Sequence, residues 1–316
     1  MTEIQITSGQ EKQRFDKFLK KYFKAASGGF LYKMLRKKNI TLNKKKADGS
    51  EILQAGDIIQ VFFSDETFSK MRGQEAVSSE YQKLLQVPHE LQVIYEDDLM
   101  LIVNKPSGML SQKASESDIS LNESILSYLI HEGLLSEETY AVFHPSVANR
   151  LDRNTSGIVL AGKTLAGQQF LSDILRDRSA KKIYHCIVRG KVEEEMHLKG
   201  YLLKDERSNQ VQIFSDETQD AKPIETAYRP LVVGPDATLL EVHLITGRSH
   251  QIRAHLASIG HPIAGDPKYG DMVWNKKLRQ DFSVRSQLLH AYSITLPDGR
   301  TFIADEPEIF SQIMRG

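Results

Sequence analysis

Within the run Asn149-Arg150-Leu151-Asp152-Arg153-Asn154-Thr155-Ser156-Gly157, one carboxylate stands between two arginines, directly before the apolar segment Ile158-Val159-Leu160-Ala161. Polar residues ending in Ser-Gly and followed by a β-branched run read as a turn entering a buried strand. A loop anchored in this way is where a rigid scaffold presents reactive side chains. Asp152 is therefore the first candidate for chemistry, as a carboxylate working beside guanidinium groups. An isolated Arg-x-Asp-Arg loop would read more simply as a surface ion pair of Asp152 with Arg150 or Arg153. Three histidines, His250, His255 and His261, raise the question of a metal. Their spacings of five and six residues share no helical face, no cysteine lies near, and the local carboxylate Asp266 falls in a turn. A phosphate contact or a structural hydrogen bond suits them better than zinc.

The wording around Asp152 resembles the second signature of the RluA-type pseudouridine synthases, enzymes that isomerise uridine in structured RNA. That family writes His-Arg-Leu-Asp followed by Thr-Ser-Gly, and this chain has Asn149 in the first place. Further stretches of the family occur in order: Glu96-Asp97-Asp98 leading to Val103-Asn104-Lys105-Pro106-Ser107-Gly108, then Lys182-Ile183-Tyr184, then Thr246-Gly247-Arg248-Ser249-His250-Gln251-Ile252-Arg253-Ala254-His255. Gly260-His261-Pro262-Ile263-Ala264-Gly265-Asp266-Pro267-Lys268-Tyr269-Gly270 and Leu289-His290-Ala291 complete the set, which covers residues 90 to 305. Several long motifs agreeing in order are specific where any one alone would be weak.

The resemblance implies a definite chemistry. Converting uridine to pseudouridine breaks a C–N glycosidic bond, turns the base over without releasing it, and joins C5 to the ribose. No redox change or external group transfer occurs, so no cofactor and no metal are expected. A carboxylate must add to C1′ or otherwise stabilise the loosened sugar, a base must remove the C5 proton, and a pocket must retain free uracil. By the family's pattern Asp152 is the carboxylate, Arg253 its ion-pair partner, and Tyr184 packs on the base and is a candidate for the C5 base. Arg150 is suited to filling the gap left by a flipped uridine, and Lys105, Arg248 and His250 are expected to bind substrate. Asn can donate a hydrogen bond but cannot carry charge, so Asn149 is expected to alter affinity or substrate choice and not to abolish catalysis.

These residues need elements to hold them. Leu91–Tyr95 and Leu99–Val103 read as paired strands, Ser124–Ile130 and Leu165–Leu175 as helices, and Lys182–Val188, Gln210–Phe214, Ala227–Val233, Thr238–Leu244 and Tyr292–Leu296 as strands. Mixed strands with interspersed helices argue an α+β fold, and the resemblance specifies a mixed, mainly antiparallel catalytic sheet over residues 90–316. The single cysteine, Cys186, reads as a small core residue of its strand. It excludes an internal disulfide framework and suits a reducing compartment.

The chain of 316 residues has zero formal net charge, yet the charge is segregated. Residues 1–46 hold thirteen Lys or Arg against three acids, a net of +10, which leaves −10 for the remaining 270 residues. A basic block at one end is the footprint of a phosphate-binding module. Phe15, Phe18, Leu19, Tyr22 and Phe23 recur at helical spacing, and Phe30, Leu31, Met34 and Leu35 repeat it after Ser27-Gly28-Gly29. Two short helices thus share a core and leave lysines outside. Residues 40–42 and 58–63 add a small β part. The whole of residues 1–64 resembles the αL RNA-binding motif of small-subunit ribosomal protein four, with Lys33, Arg36, Lys37, Lys38, Lys44 and Lys45 as RNA contacts. Residues 65–89, poor in apolar residues, read as a linker with room for one helical turn.

The N-terminus has neither a basic start nor an apolar stretch, and no segment approaches the ~20 apolar residues of a membrane span. A soluble, cytoplasmic protein is expected. Its expected partner is structured RNA, large-subunit ribosomal RNA before transfer RNA, with no membrane and no obligate protein partner. Two other classes stay open on sequence: a non-catalytic RNA-binding or ribosome-assembly factor, and a glycosylase that releases its base.

Overall fold

A computed structural model describes residues 1–205 and 207–315. The chain begins with β1 (Thr2–Gln5), α1 (Phe15–Tyr22), α2 (Gly28–Arg36), β2 (Ile40–Leu42), β3 (Lys45–Lys46) and β4 (Ile58–Val61), with strands ordered β1-β4-β2-β3. Phe15, Phe18, Leu19, Phe23, Leu35, Ile40, Leu53 and Ile59 are fully enclosed and form its core. Helix α2 starts where the sequence calls for it, because the Ser27 hydroxyl accepts the Phe30 N–H at 3.2 Å, capping one of the free amides of the first turn. Asn43 and Lys44 turn the β2–β3 hairpin at φ 50° and 63°. Two successive positive-φ residues match the right-handed twist of the strands.

The stretch expected as a linker is instead helical: α3 (Asp65–Arg72) and α4 (Gln74–Leu84) meet at Gly73, φ 65°. Val77, Tyr81, Leu84 and Leu85 recur one turn apart, which makes a single narrow apolar stripe. Phe68 and Met71 pack on the N-terminal core, whereas Val77 and Leu84 enter the next one.

The rest of the chain runs β5 (Val93–Glu96), β6 (Met100–Lys105), α5 (Leu121–His131), α6 (Glu137–Val142), β7 (Ser146–Val147), β8 (Ser156–Gly162), α7 (Leu165–Arg176), β9 (Lys181–Arg189), β10 (Met196–Asp205), β11 (Gln210–Phe214), β12 (Lys222–Val233) and β13 (Ala237–Leu244). It ends with α8 (Gln251–Ser258), α9 (Met272–Phe282), β14 (Leu289–Thr295), β15 (Thr301–Ile303) and α10 (Glu308–Arg315). One sheet holds the strands in the order β11-β10-β12-β13-β9-β14-β8-β6-β5, with β15 on β14 and β7 on β8. Its pairs are antiparallel except β14 with β8. This is the mixed, mainly antiparallel α+β arrangement expected. Cys186 is fully buried in β9, as a small core residue should be.

The parallel seam sets where the Asp152 loop enters the sheet. Gly157 opens β8 at φ 109°, and a Cβ there would lie 2.3 Å from the Ala291 carbonyl oxygen of β14. Neither the dihedral nor the space admits a side chain. Beside it the Ser156 hydroxyl and His290 Nδ1 share a buried hydrogen bond of 2.8 Å, which ties the same seam. Gly157→Ala should therefore cost roughly 3 kcal/mol or more, from strain and overpacking together. Urea unfolding followed by circular dichroism would show it as a lower midpoint, and a midpoint equal to wild type would refute the close approach.

Candidate active site

The loop from Ala148 to Thr155 is held from below by backbone contacts. The Asn149 amide reads β8 directly: its Oδ1 accepts the Leu160 N–H at 2.8 Å and its Nδ2 donates to the Ile158 carbonyl at 3.3 Å. The Ser111 hydroxyl donates to the Leu151 carbonyl and accepts its N–H, both at 3.0 Å. The Ser107 hydroxyl donates to the Asn154 carbonyl at 2.8 Å.

Lys105 completes the clamp, and here the structure corrects the sequence reading. The side chain is fully buried, and its ammonium donates to the carbonyls of Pro106, Met109 and Arg153 at 3.0, 2.8 and 3.0 Å. An ammonium has three N–H groups. All are spent on backbone, so none is left for substrate and Lys105 is a staple between two loops. Burial lowers its pKa to about 8, against the pull of the Asp152 charge.

On this platform Asp152 is a quarter exposed, and its Oδ2 accepts from Arg253 Nη1 at 2.8 Å. Arg253 projects from α8 and is itself buried. Its Nε and Nη2 donate to Asp266 at 2.7 and 2.9 Å in a two-pronged contact. Burial opposes the charge on Arg253, yet the hydrogen bonds and charge of Asp266, then those of Asp152, raise its pKa above its ordinary value. Burial would likewise neutralise Asp266. Arg253 and the N–H groups of Lys268 and Tyr269 outweigh it and hold that carboxyl below the usual range. Asp266 was legible only as a carboxylate in a turn, and Gly265-Asp266-Pro267 was the signal for it.

Tyr184 rises from β9 beside this pair. Its ring is buried, its hydroxyl has no hydrogen-bond partner among the described residues, and burial reinforced by the Asp152 charge raises its pKa. A phenol shifted in that direction stays protonated near neutral pH, which argues for a flat wall and against a resident base.

His250 precedes α8 in a left-handed conformation, φ 54°. Its Nδ1 shares a 2.9 Å hydrogen bond with the Tyr269 hydroxyl and its Nε2 lies 3.9 Å from Asp152 Oδ2. Burial lowers its pKa while Asp152 opposes that shift. The turn before it is locked by Gln251, whose Oε1 accepts from the Thr246 hydroxyl and the Arg248 N–H at 2.8 and 3.1 Å. The three histidines go to separate partners, His255 to the Thr226 hydroxyl at 3.1 Å and His261 to the Arg189 carbonyl at 3.0 Å.

Asp152, Tyr184, Arg253 and His250 thus converge, while Arg150 and Arg248 are exposed on the flanking loops. Lys33, Arg36, Lys37, Lys38, Lys44 and Lys45 are all exposed, on the continuous stretch from α2 to the β2–β3 turn.

The site thus joins a carboxylate tied to a buried arginine with an unpaired tyrosine beside it on a mixed sheet. The chain belongs to the RNA pseudouridylate synthase family, whose model matches residues 99–258. The ribosomal large subunit pseudouridine synthase C of Haemophilus ducreyi is 33% identical over 297 residues, covering 94% of this chain and 88% of that protein. The enzyme of the same name from Escherichia coli K12 is 33% identical over 298 residues, covering 92% and 87%. Among solved structures, human RNA pseudouridylate synthase domain containing 4 shares the fold, with a TM-score of 0.57 at 18% identity over 76% of this chain and 96% of that one.

Two expected outcomes follow from the buried network. Asp266→Asn weakens the two-pronged hold on Arg253, so kcat should fall ~10- to 100-fold while RNA affinity stays within about twofold; single-turnover kinetics beside filter binding would separate the two. His255 is buried with its pKa lowered to about 4. The unfolded chain takes up that proton near pH 6.5. Below that pH the unfolded state binds more protons, so stability is lost as pH falls from about 6.5 to about 4, by roughly 3 kcal/mol in total. Urea titrations across that range should show this loss in wild type and a smaller one in His255→Gln.

Proposed function

We propose that this protein isomerises uridine to pseudouridine in large-subunit ribosomal RNA, in the cytoplasm and without a cofactor, with Asp152 as the catalytic carboxylate. The observation that carries the reading is the 2.8 Å contact of Asp152 Oδ2 with a buried Arg253 beside the unpaired Tyr184. The names of the bacterial relatives supply the RNA class.

A flipped uridine would place its base against the Tyr184 ring and its C1′ above Asp152. As the C1′–N1 bond breaks, the free carboxylate oxygen of Asp152 adds to C1′ or stabilises the electron-poor sugar, and the negative charge moves to the uracil. Arg253 holds Asp152 in place for this step. The uracil turns while Tyr184 retains it, C5 bonds to C1′, and the C5 proton leaves. Asp152, free again once that bond has formed, is the nearest carboxylate to accept it. N1 takes up a proton, so atoms balance and no external group is consumed. Arg150 occupies the gap left in the RNA. The basic surface of residues 33–45 holds flanking phosphates, as an αL-type RNA-binding domain followed by a linking segment and a catalytic domain from residue 90.

Asp152→Asn should lower pseudouridine formation at least ~1000-fold without unfolding the protein. Tyr184→Leu should lose more activity than Tyr184→Phe, since only the former removes the wall. Carbodiimide-dependent primer-extension stops across total RNA, compared between wild type, a strain lacking the protein and one carrying Asp152→Ala, would name the substrate. Stops unchanged in all three would reject this function.

A further inference from the structure

Lys182 is a titratable group beside the site that the mechanism leaves unused. It lies on β9 two residues before Tyr184, and side chains of a strand alternate between its faces, so the two share a face roughly 6–7 Å apart. A Cβ on Gly247 would stand 3.7 Å from Lys182 Nζ, which puts the ammonium against the turn that leads to His250 and Arg253. Two elements of the site therefore converge on this one nitrogen. It is half-buried, yet it makes no hydrogen bond or ion pair with any described residue. The charge acting on it is a second cation, Arg178, which adds to burial in lowering its pKa. Exposed Arg248 follows Gly247 directly.

A partly desolvated ammonium with a like charge acting on it and no acid paired to it is an unfavourable arrangement for the free protein. An anion would relieve it. We infer that Lys182, with the charge of Arg178 adding to its own, binds a phosphodiester of the substrate strand next to the flipped uridine, an inference that rests on the function proposed above. The spacing suits this: Tyr184 takes the base, and the ribose bridges from there to a phosphate at Lys182. Gly247 keeps that approach open because any side chain there would cover the ammonium.

The test is RNA binding by Asp152→Asn protein, alone and combined with Lys182→Gln or Lys182→Arg, using a fluorescein-labelled transcript of large-subunit ribosomal RNA over a series of salt concentrations. No turnover is needed, so the result on Lys182 does not depend on whether the RNA is isomerised, and loss of the proposed activity would be seen separately in the primer-extension map. A phosphate contact contributes about one ion to the slope of log affinity against log salt. Lys182→Gln should weaken binding ~5- to 10-fold and make that slope shallower by about one, and Lys182→Arg should restore both. A weaker affinity with an unchanged slope would mark Lys182 as structural and overturn the inference. So would equal losses in the Gln and Arg variants, or unchanged binding in both.

Discussion

The arrangement on which this molecule turns is a buried guanidinium shared by two carboxylates. Arg253 gives two hydrogen bonds to Asp266 and one to Asp152. The division of labour follows from burial. Asp266 is enclosed and further held by backbone amides, so it fixes the orientation of Arg253. Asp152 is partly open, and no described residue hydrogen-bonds its second carboxylate oxygen. A buried ion pair is costly to assemble unless every lone pair and proton is matched. Here the matching is nearly complete on the Asp266 side and left incomplete on the Asp152 side.

Everything else near the site keeps this pair in register. Asp152 is on a loop, and loops are mobile by default. This one is tied by Asn149 to β8, by Ser111 to its own backbone at Leu151, and by Lys105 to the preceding segment. Lys105 spends a full charge on three carbonyl dipoles. Its value lies in joining residues 106–109 to residue 153, segments far apart in sequence that together form the platform under Asp152.

Much of this could be read in the sequence, and the parts that could not share a cause. Strands β6, β8, β9 and β13 and helices α5 and α7 follow from uninterrupted periodicity. The Asp152, Tyr184 and Arg253 set follows from motif wording. Helices α3 and α4 were missed because their apolar stripe is one residue wide, and its meaning depends on the two cores it touches. Helix α8 was hidden because Gln251–Leu256 is buried on all sides and includes Arg253 and His255, so it lacks an amphipathic pattern. Lys105 was misplaced because a lysine in a loop motif looks like a phosphate contact until its three acceptors are seen. The role of Asp266 is a matter of tertiary approach from 13 residues away, which residue type alone does not encode.

The junction at Gly73 bears on how the basic N-terminal module is carried. Helices α3 and α4 abut with a single residue between them, each committed to a different core, and Val142 of α6 is built into the N-terminal core while Lys24 reaches His144 at 3.1 Å. The basic module is thus mounted, not tethered. On the proposed function, a mounted module would act as a ruler: a strand held at Lys33 to Lys45 would reach Asp152 after a set length of RNA. Selection can then rest on the distance between a structural landmark and a uridine, with little reading of the bases between them.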